Sequence, residues 1–84
     1  MDKSVENVIL SIISEISGID KEEIRLDANL VTDLEIDSIK AIEIAVAVEK
    51  KYKVAIRDED IPKIMTPGQI ISLTENLLSQ KAVS

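Results

Sequence analysis

Asp33-Leu34-Glu35-Ile36-Asp37-Ser38-Ile39-Lys40 is the stretch whose reading decides the fold of this chain. A serine stands where a turn-rich segment gives way to a helical pattern, and three acids, Asp33, Glu35 and Asp37, lie just before it. Downstream, residues 38–52 read as a helix. Ile39, Ile42, Ala45, Val46, Val48 and Tyr52 cover more than half of the wheel, and Lys40, Glu43, Lys50 and Lys51 gather on the remaining arc with Ala47 among them. So broad an apolar face leaves part of it for something other than the core. Upstream, over residues 17–37, the apolar residues lose their period. Gly18, Asp20, Asp27, Asn29 and Asp33 mark turns, while Ile24, Leu26, Leu30 and Leu34 are scattered anchors. A connection this long inside a compact domain is expected to be a packed functional loop, with one short helical turn near residues 30–34.

The outer segments complete an all-α pattern. Val5, Val8, Ile9, Ile12, Ile13 and Ile16 recur at i, i+3, i+4, i+7, i+8 and i+11, which predicts a helix over residues 5–16 with Ser4 as its N-cap and Gly18 as its stop. Asp58 to Ile61, followed by Pro62, predicts a minor helix. Thr66 opens the last helix, with Pro67 at the first helical position and Gln69 closing a capping box. Its buried stripe is expected to be Ile70, Ile71, Leu73, Leu77 and Leu78. The expected fold is a small three-to-four-helix antiparallel-type bundle with a long loop between the first two helices. Residues 1–84 form a single domain in this reading, with an ordered core over 4–80 and a frayed tail over 81–84.

Composition narrows the function. The chain has 84 residues, 45% hydrophobic, and Tyr52 is its one aromatic residue. A core of Ile, Leu, Val and Ala lacks the rigid plates that usually fix a single packing, so a guest hydrocarbon could share it. The absence of Cys and His excludes thiol catalysis, disulfides, Cys/His metal sites and Ser–His nucleophiles. A net charge of −6 argues against nucleic acid and for basic partner surfaces. No apolar run is long enough to insert in a membrane, and Met1 to Asn7 has no signal-peptide character, so the expectation is a cytoplasmic monomer.

Four readings compete for Asp37-Ser38. In the plainest, one of the two caps the helix and the acids only favour the positive end of its dipole. In a second, Asp33, Glu35 and Asp37 fill the first, third and fifth places of a calcium loop, but Ser38 stands where glycine is required and Ile44 where the closing glutamate belongs. In a third, Ser38 is a hydrolytic nucleophile. No Gly-x-Ser-x-Gly surrounds it, no His exists to activate it, and a Ser38–Lys40 arrangement has no further support.

The fourth reading uses the whole chain. Helix, long loop, Asp-Ser at the second helix start, short helix and last helix together resemble the acyl carrier proteins, whose mark at this place is Leu-Gly-x-Asp-Ser-Leu. This chain reads Leu34-Glu35-Ile36-Asp37-Ser38-Ile39. The resemblance extends to Glu43, to Val48-Glu49-Lys50-Lys51-Tyr52, and to Ile56-Arg57-Asp58-Glu59-Asp60 leading to Ile64 and Thr66. It implies that a phosphopantetheinyl transferase attaches 4′-phosphopantetheine to Ser38, with Asp37 as the motif partner. It further implies that Ile39, Ile42, Glu43, Val46 and Glu49 face partner enzymes that load and use acyl groups. The arm's thiol would carry the cargo as a thioester, so a protein without Cys would take part in thioester chemistry and catalyse nothing itself. An acyl chain would lie among the helices. Ordinary packing for Ile42 and Val46, and a solvated face for Glu43 and Glu49, are the plainer alternatives.

Two features depart from the family pattern. Glu35 and Ile39 replace the usual Gly and Leu, and Lys40, Lys50, Lys51 and Lys53 bring positive charge to a helix that general members keep acidic. Those lysines would weaken docking by enzymes with basic patches and point to a specialised carrier with dedicated partners. A peptidyl, aminoacyl or polyketide carrier, and an unmodified helical interaction module, remain as alternatives.

Overall fold

The computed structural model describes residues 3–83. Helix α1 spans Lys3–Ser17, α2 spans Ser38–Tyr52 and α3 spans Pro67–Val83. Two 3-10 segments, Lys21–Glu23 and Asp58–Lys63, lie in the connections. No strand occurs among the described residues. The order is the expected one: a small all-α bundle with a long first loop.

α1 forms on its apolar stripe and buries Val5, Ile9 and Ile13. Ser4 already lies inside the helix, so it is not the expected cap. Gly18 does end α1. It adopts a φ of +79°, a conformation L side chains resist, and its N–H returns to the Ser14 carbonyl at 2.9 Å. α1 packs against both other helices. α2 contributes Ile44, Ala45 and Val48 to the core and α3 contributes Ile70, Ile71 and Thr74. Each such isoleucine, fully buried, stabilises the fold by about 1.5–3 kcal/mol.

Two expectations for α3 are corrected. Of the expected stripe Ile70 and Ile71 are buried but Leu73, Leu77 and Leu78 only half buried, and the polar Thr74 is fully buried instead. Its hydroxyl donates to the Ile70 carbonyl one turn back at 2.8 Å, which removes the cost of burying it. The helix also continues to Val83, through the stretch expected to be a frayed tail. Lys81 explains part of this: its ammonium donates to the carbonyls of Tyr52 and Lys53 at 3.2 and 3.3 Å, tying the end of α3 to the end of α2. The start of α3 is as expected. Thr66 Oγ1 accepts the Gln69 N–H at 3.2 Å, and Gln69 Oε1 accepts the N–H groups of Thr66 and Met65 at 3.1 and 2.8 Å.

The long loop is packed. Ile24, Leu30, Leu34 and Ile36 are buried, whereas Leu26, an expected anchor, is 43% exposed. The helical turn expected near residues 30–34 is present. The Asp33 N–H bonds the Asn29 carbonyl at 2.9 Å, Asn29 Oδ1 accepts from Val31 and Thr32, and Asp33 Oδ2 accepts from the Asn29 N–H. The loop is also laced to the entry of α3. Leu30 donates to the Met65 carbonyl at 2.9 Å and Gly68 donates to the Leu26 carbonyl at 3.0 Å. A Cβ on Gly68 would stand 3.1 Å from that carbonyl oxygen, so glycine is what permits the approach. The loop thereby holds Ser38 at a fixed place over the bundle.

Candidate functional site

The site begins with the loop's exit. Leu34 and Ile36 are both buried, and Glu35 between them is exposed with a φ of +54°. A non-glycine residue in the left-handed region costs about 1–2 kcal/mol. The position where the family pattern carries Gly is therefore the position where the backbone wants one. The Ile36 N–H closes the turn on the Leu30 carbonyl at 2.7 Å.

Asp37 then caps α2. Its backbone is extended, its Oδ1 accepts the Lys40 N–H at 2.9 Å, and its carbonyl accepts the Ala41 N–H at 2.9 Å. Ser38 is the first helical residue and is exposed. The two residues are thus separated in role: the aspartate does the capping, and the serine hydroxyl is left over. Among the described residues no hydrogen bond engages Ser38 Oγ. The first N–H groups of any helix have no partner within it and carry a partial positive charge, which suits an anion there.

Beside the serine lies an apolar cleft of about 260 Å³, walled by Leu30, Val31, Ile36, Ala41, Ile61 and Pro62, with Asp37 and Ser38 contributing to it. A larger groove of about 590 Å³ runs between α1 and α2 past Val8, Ile12 and Ala47, but Ser38 does not border it. Of these two, the smaller is the one that Ser38 borders.

The stripe that follows Ser38 along α2 is apolar and outward. Ile39, Ile42 and Val46 are 67%, 47% and 40% exposed, and Val31 on the adjoining loop is 66% exposed. Glu43 is exposed on the same stripe, at i+4 from Ile39. Glu49 is placed differently. It is half buried, and its Oε2 accepts the Ile56 N–H at 2.7 Å, pinning the segment after α2 to the helix. Sequence reading missed that task, because the partner is seven residues away and no local pattern marks it. The arginines are occupied in ion pairs: Arg25 with Asp27 at 3.4 Å and Arg57 with Glu59 at 3.0 Å are exposed and worth about 0–1 kcal/mol each, and Arg57 also meets the partly covered Asp60 at 3.5 Å. Lys40, Lys50 and Lys51 make no ion pair among the described residues. Nor does any group of acids there form a metal cluster.

Residues 7–74 match the family model described as a phosphopantetheine attachment site. The chain is 39% identical over 71 residues to an acyl carrier protein of Rhodococcus erythropolis (strain PR4 / NBRC 100887), covering 84% of this chain and 78% of that protein. It is 42% identical over 69 residues to the meromycolate extension acyl carrier protein of Mycobacterium leprae (strain TN), covering 82% of this chain and 60% of that one. The corresponding protein of Mycolicibacterium smegmatis (strain ATCC 700084 / mc(2)155) is 39% identical over 69 residues, covering 82% of this chain and 70% of its own length. A helical bundle with a capped Asp-Ser helix start, matched over most of its length by such relatives, belongs to the phosphopantetheine-bearing acyl carrier protein family.

Proposed function

We propose that Ser38 is the residue that receives 4′-phosphopantetheine, and that residues 1–84 act as one cytoplasmic, monomeric carrier domain for acyl groups in lipid synthesis. The carrying observation is the exposed Ser38 hydroxyl at the start of α2, relieved of capping duty by Asp37. Such a hydroxyl can enter the site of a modifying enzyme, and the resulting phosphodiester would meet the N–H groups of the first turn. When bound, the group supplies a thiol that holds the acyl chain as a thioester. The chain's own part is to present, orient and shelter. It catalyses nothing itself in this reading.

The cleft beside Ser38 supports the sheltering part. Its walls, Leu30, Ile36, Ala41 and Ile61 among them, are aliphatic, and each methylene they covered would stabilise the loaded protein by about 0.8 kcal/mol at most. The relatives named for meromycolate extension support an acyl cargo over an aminoacyl one.

The test is the intact mass of the apo protein after incubation with coenzyme A and a phosphopantetheinyl transferase. The expected result is a single phosphopantetheine-sized gain that is lost in Ser38→Ala, with both proteins folded by circular dichroism. A gain that survives Ser38→Ala moves the attachment to another residue. No gain in the parent protein leaves a helical interaction module.

A further inference from the structure

We infer that the groove between α1 and α2 is a second docking site, separate from Ser38, which takes an amphipathic helix of a partner protein with carboxylates beside its apolar stripe. The groove holds about 590 Å³. Its apolar lining is Val8, Ile12 and Ala47, each only half covered by the chain itself. Val8 and Ile12 stand at i and i+4, so they are neighbours on one face of α1. The α1 residues of the lining run from Asn7 to Glu15, about 12 Å or two turns of helix. A seam of that length between two helices is a trough in which a third helix lays its apolar side chains. Ser11 and Ala47 in the lining are small, which lets that helix come within the roughly 8–10 Å at which helices pack.

The charged residues of the lining decide the partner's chemistry. Lys50 and Lys51 line the groove from α2, are exposed, and make no ion pair among the described residues. Glu15 lines it from α1, equally exposed and unpaired there. Glu6, Glu43 and Glu49 lie on the same two helices but outside the lining. Two cations against one anion leave the groove one positive charge in surplus, and the exposed Lys53 follows at the end of α2. Lysines at a helix C-terminus suit its dipole, which accounts for their charge but not for the half-covered Val8 and Ile12 beside them. A flat anionic membrane would meet the lysines without reaching apolar side chains set in a trough. A helix with carboxylates flanking an apolar stripe meets both. Ser38 is the first residue of α2, so Lys50 and Lys51 stand about 18–20 Å along the helix from it. A partner held in the groove leaves Ser38 open to other enzymes, which suits the site to tethering the chain whatever group Ser38 carries.

The experiment is an NMR titration of the full chain with two synthetic helical peptides of about five turns. Both carry a leucine stripe, flanked in one by glutamates and in the other by lysines. The glutamate peptide is expected to shift the amide signals around Val8, Ile12 and Ala47, with a Kd of about 0.1 mM or tighter. The lysine peptide is expected to bind at least about tenfold more weakly, and Lys50→Glu/Lys51→Glu to weaken the glutamate peptide at least about tenfold. Circular dichroism checks that this variant keeps its fold. Ser38→Ala is expected to bind as the parent does, which separates this inference from the assignment of Ser38. Shifts confined to Ile39 and Ile42, equal binding of the two peptides, or no binding of either overturns the inference. Binding to vesicles of anionic phospholipid that both peptides fail to match overturns it in favour of a membrane surface. Concentration-dependent shifts of the groove signals with no peptide added overturn it in favour of a second copy of the chain.

Discussion

The two sides of α2 carry the same chemistry and do opposite things. Ile44, Ala45 and Val48 are buried in the core, while Ile39, Ile42 and Val46 are exposed about 140° around the helix. Aliphatic side chains on one side hold the bundle together; on the other, Ile39 is 67% exposed and Ile42 and Val46 are only about half covered, so they contribute less. Exposed apolar residues grouped beside Ser38 are what the proposed function would have a partner enzyme cover. What distinguishes the sides is therefore not residue type but the company each keeps: the inner one has α1, and the outer one has Ser38.

The sharpest way to break this comparison is to truncate one isoleucine on each side. Ile44→Ala, in the core, is expected to lower unfolding stability by about 2–5 kcal/mol. Ile39→Ala, at an exposed position, is expected to change it by less than about 0.5 kcal/mol. Chemical denaturation measures both, and similar losses would mean that the outer isoleucine packs after all. A smaller effect is expected at Glu49, which belongs to neither side. Glu49→Gln weakens a charge-assisted bond to the Ile56 N–H and is expected to cost about 1 kcal/mol. The same variant leaves modification of Ser38 near the parent's rate if Glu49 serves the fold, and slows it if Glu49 meets the partner. The smallest expected effect is at Glu35. Glu35→Gly relieves the left-handed backbone but frees the unfolded chain, so a net gain of up to about 1 kcal/mol is expected. A loss there would mean that the glutamate side chain has a stabilising contact.

Much of this was legible in the residues. The capping set of Thr66, Pro67 and Gln69 works through bonds within four residues, so local sequence is enough to read it. The extent of α2, the helical stop at Gly18 and the turn near residues 30–34 are local in the same sense. The choice between the faces of α2 is not local. Its apolar residues cover so much of the wheel that periodicity does not say which arc meets α1: the buried Ile44 is not singled out by it, and Ile42 and Val46 fit core and surface equally. Long-range bonds were invisible for the same reason: Glu49 to Ile56 and Lys81 to the end of α2 depend on how segments distant in sequence come together. At the site, the Asp-Ser pair was readable, but the division of labour between its members needed coordinates. That division, with the carboxylate on the Lys40 N–H and the hydroxyl unengaged, is what the proposed attachment at Ser38 rests on.

The most direct test is peptide-level mass spectrometry of the protein isolated from its own cells. The expected spectrum shows 4′-phosphopantetheine on the peptide holding Ser38, with part of the population extended by a thioester-linked acyl chain whose mass names the cargo. A Ser38 peptide found only unmodified, in cells that are making lipid, would contradict the account.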